Sequence, residues 1–479
     1  MRTLLPLFWT SLATLSMGCS MSRFAYTECD TNQQCRDAFG WGHVCNNQSL
    51  CAQVKPEPRC ETYPTDLLQR QGEFPDAVIL GIQFDDSAFR AEMQAAELAI
   101  LQAMANDGLG GTPYGLVQCT NEENSVYDGL TQDEANLSVS EFLADEVGVV
   151  GIIGPATSSR VNPAFLAVEK YGTLMISPSA TSPALTPLDG LSSSYDSPGL
   201  LWRTVPPDDL QGSVLAEYLI EQDIQTVAII YEEGEYGGPL SSVFMEEFSG
   251  GGRQVMPLAY QPSSSQSLRS AFDRVQAQDA VVFVSGTKTD TISFLEEVVD
   301  GTFGEKPIFL ADGGQDVEIF EAVSGIEERL GQIAGSAPTR ERTDGYESFA
   351  AEYTSKYGES PDQTPYTARS YDAAWLLIMG TAWSQHQESL DGAINGLGAA
   401  RGLRMISDPN GPEIRTGPSD WNLLQAQFEQ GNRVNVQGAS GPLDFDPETG
   451  ETTSAIDIWA IVANGNGDLS VSTVKTYDP

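Results

Sequence analysis

Short apolar runs alternate with amphipathic segments along most of this chain. Runs of five residues or so, such as 78–82, are typical of strands buried on both faces. Segment 91–104 instead repeats its apolar positions with a helical period. In the first half the pattern predicts strands at 78–82, 114–118, 149–153 and 173–176, and helices at 91–104, 137–145 and 163–171.

The same alternation resumes after a polar stretch at 187–199. A helix begins at Asp208, and the pattern then predicts strands at 226–231, 254–258, 280–284 and 307–310, with helices at 240–248, 268–276 and 291–299. Strands alternating with helices favour a parallel sheet covered by helices. About 400 residues of this pattern exceed one ordinary domain. The sequence therefore predicts an α/β protein with two parallel-sheet lobes and a cleft between them, where small ligands bind.

Two of the predicted strands end abruptly in small hydroxyl residues. The turn Gly154-Pro-Ala-Thr-Ser-Ser159 follows one strand, and Ser177-Pro-Ser-Ala-Thr-Ser182 follows the next. Ligands of open α/β sheets bind beyond the carboxyl ends of strands. These turns lack His, Lys and Cys, which favours holding a small polar ligand over catalysis. Serine-rich loops are also ordinary turn material, so the turns alone leave both interpretations open.

The first residues have the pattern of a secretory signal. A basic start and a short apolar core over 1–18 precede Cys19, and no later segment is apolar enough to span a membrane. The Cys after small residues resembles a bacterial lipoprotein signal, in which Cys19 would be lipidated. Ser16 stands where that pattern usually has Leu. We expect a lipid-anchored protein; the alternative is ordinary secretion with an incidental Cys19.

The other cysteines lie in the first quarter of the chain. Seven cysteines less Cys19 leave six, an even number that predicts disulfides in an extracytoplasmic protein: Cys29, Cys35, Cys45, Cys51, Cys60 and Cys119. A zinc site is the rival, but the spacing lacks paired C-x2-C motifs, so we expect no metal. The sequence does not decide the connectivity. An interlaced pairing, Cys29–Cys45 and Cys35–Cys51, would resemble small epidermal-growth-factor-like modules and leave Cys60 to pair with Cys119.

The net charge of −42 comes from 67 acidic and 25 basic residues. Nucleic acid is therefore a poor partner, as are anionic membrane surfaces. The acidic residues are dispersed, which is typical of a solvated exterior. The excess would also favour a cationic ligand, although net charge is weak information about a pocket.

Several motifs occur in an order that resembles a known family. They are the two hydroxyl turns, Arg203-Thr-Val-Pro-Pro-Asp208-Asp-Leu-Gln-Gly212, Val227-Ala-Ile-Ile-Tyr231, Tyr236-Gly237 and Gly441-Pro-Leu-Asp-Phe-Asp446. Together they are similar to the branched-chain amino-acid-binding proteins of bacterial transporters, which have the type I periplasmic binding fold shared with receptor ligand-binding domains. The resemblance covers roughly residues 76–479.

The resemblance implies two lobes that close over a ligand, with three chain crossings at the hinge. The expected organisation is a signal at 1–18, a Cys-rich module at 19–60, a linker at 61–75, a first lobe at 76–203 and 338–450, and a second lobe at 204–337 and 451–479.

The resemblance also implies the binding residues. In the first lobe, Ser158 and Thr181 would hold the α-carboxylate of the ligand, and the backbone of Ser179 and Ala180 would help to orient its ammonium group. Loop residues Asp85, Asp86, Ser87 and Phe89 would form a side wall. In the second lobe, Tyr236 would cover the ligand and Asp312 would pair with the ammonium. Thr287 stands where the family has a second aromatic residue, which argues against leucine, isoleucine or valine as the ligand.

Three functions can be weighed. The first is a solute-binding lipoprotein that delivers an amino acid or similar compound to an ABC-type importer. The second is a sensor domain that signals to a membrane partner. The third, a hydrolase, is disfavoured because His43 lies in the Cys-rich module and His386, the only other histidine, lies on a predicted helix after Trp383, which argues against a Ser–His pair at the cleft. We expect a binding protein with no cofactor.

Overall fold

The computed structural model describes residues 28–105, 111–124, 126–190, 194–388 and 394–478. The signal at 1–18 and the candidate lipidation site Cys19 lie outside these residues. Within them the chain forms two parallel-sheet α/β lobes preceded by a small disulfide-bonded module, as the sequence predicts. No helix in the described ranges has the length and apolar content needed to cross a bilayer.

The N-terminal module consists of a helix and a hairpin, α1 (Asn32–Phe39), β1 (His43–Cys45) and β2 (Cys51–Gln53). Its disulfides are interlaced, Cys29 with Cys45 and Cys35 with Cys51. The sulfurs of Cys29, Cys35 and Cys45 lie close together, within 4.8 Å. Since all three are in disulfides, they offer no thiolate to a metal. The module packs on the first lobe, where the Gly42 N–H donates to the Val147 carbonyl at 2.8 Å.

Residues 61–75, expected to be a linker, are instead part of the first lobe. Strand β3 (Cys60–Tyr63) pairs antiparallel with β5 (Tyr114–Thr120), and two 3-10 turns follow it. Leu67 and Leu68 are buried in those turns. Cys60 lies opposite Cys119 in the strand pair, and the two form a disulfide. The segment resembles a linker in the sequence for two reasons. It contains prolines, and its one pair of adjacent leucines is too short to show a periodic pattern.

The first sheet has the strand order β3-β5-β4-β6-β7-β8. Apart from β3, its neighbouring strands are parallel. The remaining strands are β4 (Val78–Phe84), β6 (Gly151–Ile153), β7 (Leu174–Ser177) and β8 (Leu201–Arg203), and the helices between them are α2 (Arg90–Ala105), α3 (Gln132–Glu141) and α4 (Ser158–Val168). Every residue of β4 and β5 is buried, as the continuous apolar runs predict for strands covered on both faces.

The chain enters the second sheet after β8. This sheet has the order β10-β9-β11-β12-β13-β17-β18, in which β17 (Ile456–Ala463) and β18 (Leu469–Tyr477) come from the end of the chain. Its first strands are β9 (Thr226–Glu232), β10 (Gln254–Tyr260), β11 (Ala280–Val284), β12 (Ile308–Leu310) and β13 (Ile333–Pro338). The helices are α5 (Asp208–Glu221), α6 (Gly237–Phe248), α7 (Ser265–Phe272), α8 (Lys288–Val299) and α9 (Val317–Glu321). Residues of β9, β11 and β12 are buried against both helical layers.

After β13 the chain returns to the first lobe. It forms α10 (Asp344–Tyr357), α11 (Thr367–Trp383), α12 (Gly396–Leu403), β14 (Glu413–Arg415), α13 (Trp421–Glu429), β15 (Asn435–Gly438) and β16 (Gly441–Pro442). Its last strands, β17 (Ile456–Ala463) and β18 (Leu469–Tyr477), lie in the second sheet. The chain therefore crosses between the lobes three times, after β8, after β13 and before β17. The exact lobe boundaries expected from the sequence stay a prediction.

Candidate functional site

The two hydroxyl-rich turns of the first lobe pack against each other. The Ser179 hydroxyl donates to the Ala156 carbonyl at 3.0 Å. The Ser182 N–H donates to the Ser158 Oγ at 3.1 Å. Both hydroxyls thus join the turns at the carboxyl ends of β6 and β7, the edge where ligands of such sheets bind. Ser158 is also the first residue of α4, and the N–H groups of a first helical turn have no intrahelical acceptor.

The backbone of Ala180 is used mainly within the first lobe. Its N–H donates to the Ser177 Oγ at 3.2 Å, and its carbonyl accepts from the Arg203 guanidinium at 3.0 Å. A carbonyl oxygen has two lone pairs. The Ala180 carbonyl can therefore accept a further hydrogen bond from a ligand ammonium group, whereas its N–H is already used.

Thr181 bonds to the second lobe through Asp208. Its hydroxyl donates to Asp208 Oδ2 at 2.8 Å, and the Asp208 N–H donates to the Thr181 carbonyl at 2.9 Å. Both residues are 1 % exposed. Asp208 begins α5, which packs on β13 and β17. The Thr181 hydroxyl, expected to hold the carboxylate of a ligand, thus holds a carboxylate of the protein itself and can still accept a hydrogen bond.

Asp208 carries an uncompensated negative charge when it is ionised. Its Oδ1 has no hydrogen-bond partner among the described residues. Burial, and next the charge of Asp312, hold the pKa of Asp208 well above its ordinary value. Arg203 is the cation acting on it, but Arg203 forms an ion pair with Glu451. A cation at Oδ1 would favour the charged form of Asp208.

Asp312 is the centre of a hydrogen-bond cluster at the end of β12. Gln211 donates from Nε2 to Oδ1 at 2.8 Å, and the Tyr236 hydroxyl donates to the same oxygen at 2.5 Å. The Tyr366 hydroxyl donates to Oδ2. Tyr366 directly precedes α11 of the first lobe, so Asp312 also links the lobes. Burial and the Asp312 charge raise the pKa of both tyrosines, which keeps them protonated as donors.

Two buried hydrogen-bond acceptors near Thr181 and Asp312 have no partner among the described residues. Besides Asp208 Oδ1, the Oε1 of Gln211 has no partner among the described residues, and both atoms are buried. An ammonium has three donors and no acceptor. The arrangement of two buried carboxylates and an amide oxygen is therefore suited to an ammonium group.

Thr287 lies beside this cluster rather than within it. It precedes α8, is half-buried, and its N–H donates to the Ser285 Oγ at 3.0 Å. Ser285 and Gly286 in turn bond to Glu232, at 3.2 and 2.8 Å. Burial raises the pKa of Glu232 to about 7. The position thus carries a polar turn where the resembled family has an aromatic wall.

The structure brings three of the expected residues together where the lobes meet: Thr181, Tyr236 and Asp312. Ser158 bonds within the first lobe, to Ser182. Sequence reasoning missed Asp208, Gln211 and Tyr366 as site residues. The Asp208-Asp209 pair was interpreted only as a helix start, which it is. Its contact with Thr181 depends on the packing of the lobes and has no sequence signal. The two histidines lie elsewhere: His386 contacts Gln425, and His43 Nδ1 is 3.1 Å from the Gly40 carbonyl.

The two parallel-sheet lobes, the three crossings and the buried polar cluster between them define a type I periplasmic binding fold. A family model described as the receptor family ligand binding region matches residues 91–464. The chain belongs to this family.

Relatives by sequence are binding proteins. The chain is 28 % identical over 166 residues to the Leu/Ile/Val-binding protein of Escherichia coli (strain K12), a match that covers 34 % of this chain and 41 % of that protein. It thus spans about two fifths of the length of that relative. It is 22 % identical over 317 residues to the chemotactic signal transduction system substrate-binding protein BasB of Halobacterium salinarum, which covers 64 % of this chain and 70 % of that protein.

Solved structures share the fold. The leucine-binding protein LivK of Thermotoga maritima superimposes with a TM-score of 0.62 at 19 % sequence identity, over 84 % of this chain and 99 % of that one. Such a level of identity supports the fold alone. The matched family model describes a ligand-binding region.

Proposed function

We propose that this protein is an extracytoplasmic solute-binding lipoprotein that captures an amino acid or a related compound between its lobes. The observation that carries the proposal is the pair of interlobe contacts at one place, Thr181 with Asp208 and Tyr366 with Asp312. A ligand that bonds to these groups touches both lobes at once. Its binding energy therefore favours the closed arrangement.

In this proposal, one group of site residues binds the carboxylate of an amino acid and another group binds its ammonium. Ser158 and the N–H groups at the start of α4 would hold the carboxylate, as helix N-termini do. Asp208, Asp312 and Tyr236 would surround the ammonium, with the Ala180 carbonyl and the Thr181 Oγ as further acceptors. Ser179 would act by fixing the turn, and Thr287 would lie near the far end of the ligand. No cofactor and no metal takes part in this scheme.

A panel of amino acids and other small metabolites, measured by calorimetry with the full chain, tests the proposal. Binding of at least one zwitterionic amino acid is expected. If no member of the panel binds to the folded protein, the proposed function is wrong.

Thr181→Ala is expected to weaken binding about tenfold, the value of one hydrogen bond to a charged group. The variant removes an acceptor of the ammonium and the bond that orients Asp208. Thr181→Ser keeps the hydroxyl and should bind as the wild type does, and Thr354→Ala, on the exposed side of α10, should have no effect. Equal affinity in Thr181→Ala and the wild type would contradict the role of Thr181.

Cys19 is proposed as the lipid anchor, which would place the protein on the extracytoplasmic face of a membrane. Cys19→Ala is expected to move the protein from the membrane fraction to the soluble extracytoplasmic fraction, as fractionation and immunoblotting would detect. The control variant Ser20→Ala, which changes the neighbouring residue, should remain in the membrane fraction. Retention of Cys19→Ala in the membrane fraction would contradict lipidation.

The ligand would be delivered to an ABC-type importer. The similarity to a chemotactic substrate-binding protein over two thirds of this chain favours a second candidate, a sensor that transmits closure to a membrane partner. Ligand uptake by cells lacking the gene distinguishes the two. Loss of uptake supports import, whereas unchanged uptake with a lost behavioural response supports sensing.

A further inference from the structure

Glu92 is a buried acid in the first turn of α2 that the site described above does not use. It is 2 % exposed. The Thr364 hydroxyl donates to its Oε1 at 2.8 Å, whereas its Oε2 is buried and has no hydrogen-bond partner among the described residues. A buried acceptor without a partner is unfavourable in the folded state. The carboxyl therefore has capacity for one more donor.

One short segment of the first lobe connects Glu92 to the ammonium end of the site. Thr364 stands two residues before Tyr366, whose hydroxyl donates to Asp312. Two residues of extended chain span at most about 7 Å. Thr364 also bonds to Thr367 at 3.0 Å, which fixes this segment at the start of α11. Glu92 and Asp312 are thus contacted by the same short segment of the first lobe.

The second lobe presents charged groups toward Glu92. The charges of Asp316 and Lys288 both act on its carboxyl. Lys288 directly follows Thr287, the residue at the place of the family's aromatic wall. The Lys288 ammonium is bonded to Asp316 at 3.0 Å and to Glu318 at 2.5 Å, so it is neutralised within its own lobe. Negative charge therefore exceeds positive charge around Glu92.

The described first-lobe side chains that bond to Glu92 are uncharged. The Ser370 hydroxyl donates to its backbone carbonyl at 2.7 Å. Tyr353 of α10, whose pKa is raised by burial and next by the Glu92 charge, donates its hydroxyl to Gln94 at 2.8 Å. These neighbours are neutral hydroxyls. The Oε2 of Glu92 can therefore accept a hydrogen bond from a donor that a ligand brings.

We propose that Glu92 forms a distal subsite for a cationic group, so that the ligand is an amino acid whose side chain ends in an ammonium or a guanidinium. The inference rests on the proposed function, because it assumes that Asp208 and Asp312 hold the α-ammonium. Thr287 in place of an aromatic residue removes the apolar wall that a branched aliphatic side chain needs. The partnerless Oε2 of Glu92 supplies the acceptor that a cationic side chain needs.

Affinity for such a ligand depends on pH in a defined direction. Burial raises the pKa of Glu92 to about 7. A cation binds the ionised form, so affinity for a basic amino acid should rise from about pH 6 to pH 8. Binding near neutral pH should release protons, which calorimetry in buffers of different ionisation enthalpy detects. An uncharged side chain gains nothing from ionised Glu92, so norleucine should show a smaller pH dependence.

The test compares L-lysine, L-ornithine and L-arginine with L-norleucine on the full chain and on Glu92→Gln. At least one basic amino acid should bind roughly tenfold or more tightly than norleucine. Glu92→Gln should lower that affinity roughly 10- to 100-fold and leave norleucine unchanged. Glu347→Gln, an exposed acid of α10, is the matched control and should change neither.

Two results would overturn the inference and leave the proposed function standing: norleucine binding as tightly as the basic amino acids, or Glu92→Gln weakening both classes equally. Absence of binding by every amino acid to the folded protein would instead overturn the proposed function, and the inference with it.

Discussion

Replacing Asp312 by asparagine is expected to weaken amino-acid binding roughly 10- to 150-fold, the range of one hydrogen bond to a charged group. Asp312 accepts from Gln211, Tyr236 and Tyr366 and would face the ammonium of the ligand. Asparagine keeps the shape and one acceptor but loses the negative charge. Isothermal calorimetry with a ligand identified in the panel measures the effect.

The same variant should fold normally. The charges of Asp208 and Asp312 repel each other in a buried site, so the neutral side chain relieves a cost in the ligand-free protein. The thermal unfolding midpoint of Asp312→Asn should therefore change little, because this relief offsets the acceptor that one of the donating side chains loses. Asp300→Asn, an exposed residue of the same lobe, controls for charge alone. Wild-type affinity in Asp312→Asn would show that the ammonium lies elsewhere.

The double variant Cys60→Ser, Cys119→Ser is expected to lower the free energy of unfolding by about 4 kcal/mol. The disulfide joins residues 59 positions apart, and closing a loop of that length restricts the unfolded chain strongly. It also holds β3, the edge strand of the first sheet, against β5. Chemical denaturation without reductant, followed by circular dichroism, measures the loss.

A disulfide of the N-terminal module closes a shorter loop and serves as a comparison for the Cys60–Cys119 bond. The bond between Cys29 and Cys45 spans only 16 positions, so the same loop argument gives about 3 kcal/mol for Cys29→Ser, Cys45→Ser. That loss should appear in the unfolding of the module, and ligand affinity should not change. If the Cys60 and Cys119 variant unfolded at the wild-type denaturant concentration, the bond would not stabilise the first lobe.

The sequence predicted the central strands well. The strand expected at 280–284 coincides with β11, and that expected at 78–82 is extended by two residues in β4. Strands covered on both faces are predominantly apolar, so composition locates most of their length. The helix expected at 137 begins earlier, at Gln132. Thr131 and Glu134 form a capping box there, a polar signal that an apolar-periodicity argument overlooks.

Two elements gave misleading or weak signals. Strand β3 stands in a segment with several prolines and becomes a strand because β5 and the Cys60–Cys119 disulfide hold it. Every residue of α11 is buried, so this helix has no polar face to produce a period. Such elements depend on neighbours that are distant in sequence.

For the candidate site as well, some features follow from the sequence and others only from the fold. The sequence motifs predicted Ser158, Thr181, Tyr236 and Asp312 as binding residues, because turn residues at strand ends have a fixed place in this fold, and their binding roles stay predictions. They could not show that Asp208 bonds to Thr181 or that Tyr366 bonds to Asp312, because each bond joins residues of different lobes. They also did not show that the N–H and carbonyl of Ala180 are hydrogen-bonded within the first lobe.

By itself the sequence determined the α/β class, the two lobes, the buried strands and the cysteines available for disulfides, since each follows from local pattern or composition. Only the tertiary structure decided the disulfide pairing, the inclusion of 61–75 in the first lobe and the set of acids at the interlobe face. The physical reason is that burial and like charge act between side chains that the chain brings together from far apart. Among the described residues, Asp208 Oδ1 and Glu92 Oε2 are buried without hydrogen-bond partners, a property that only the folded chain reveals.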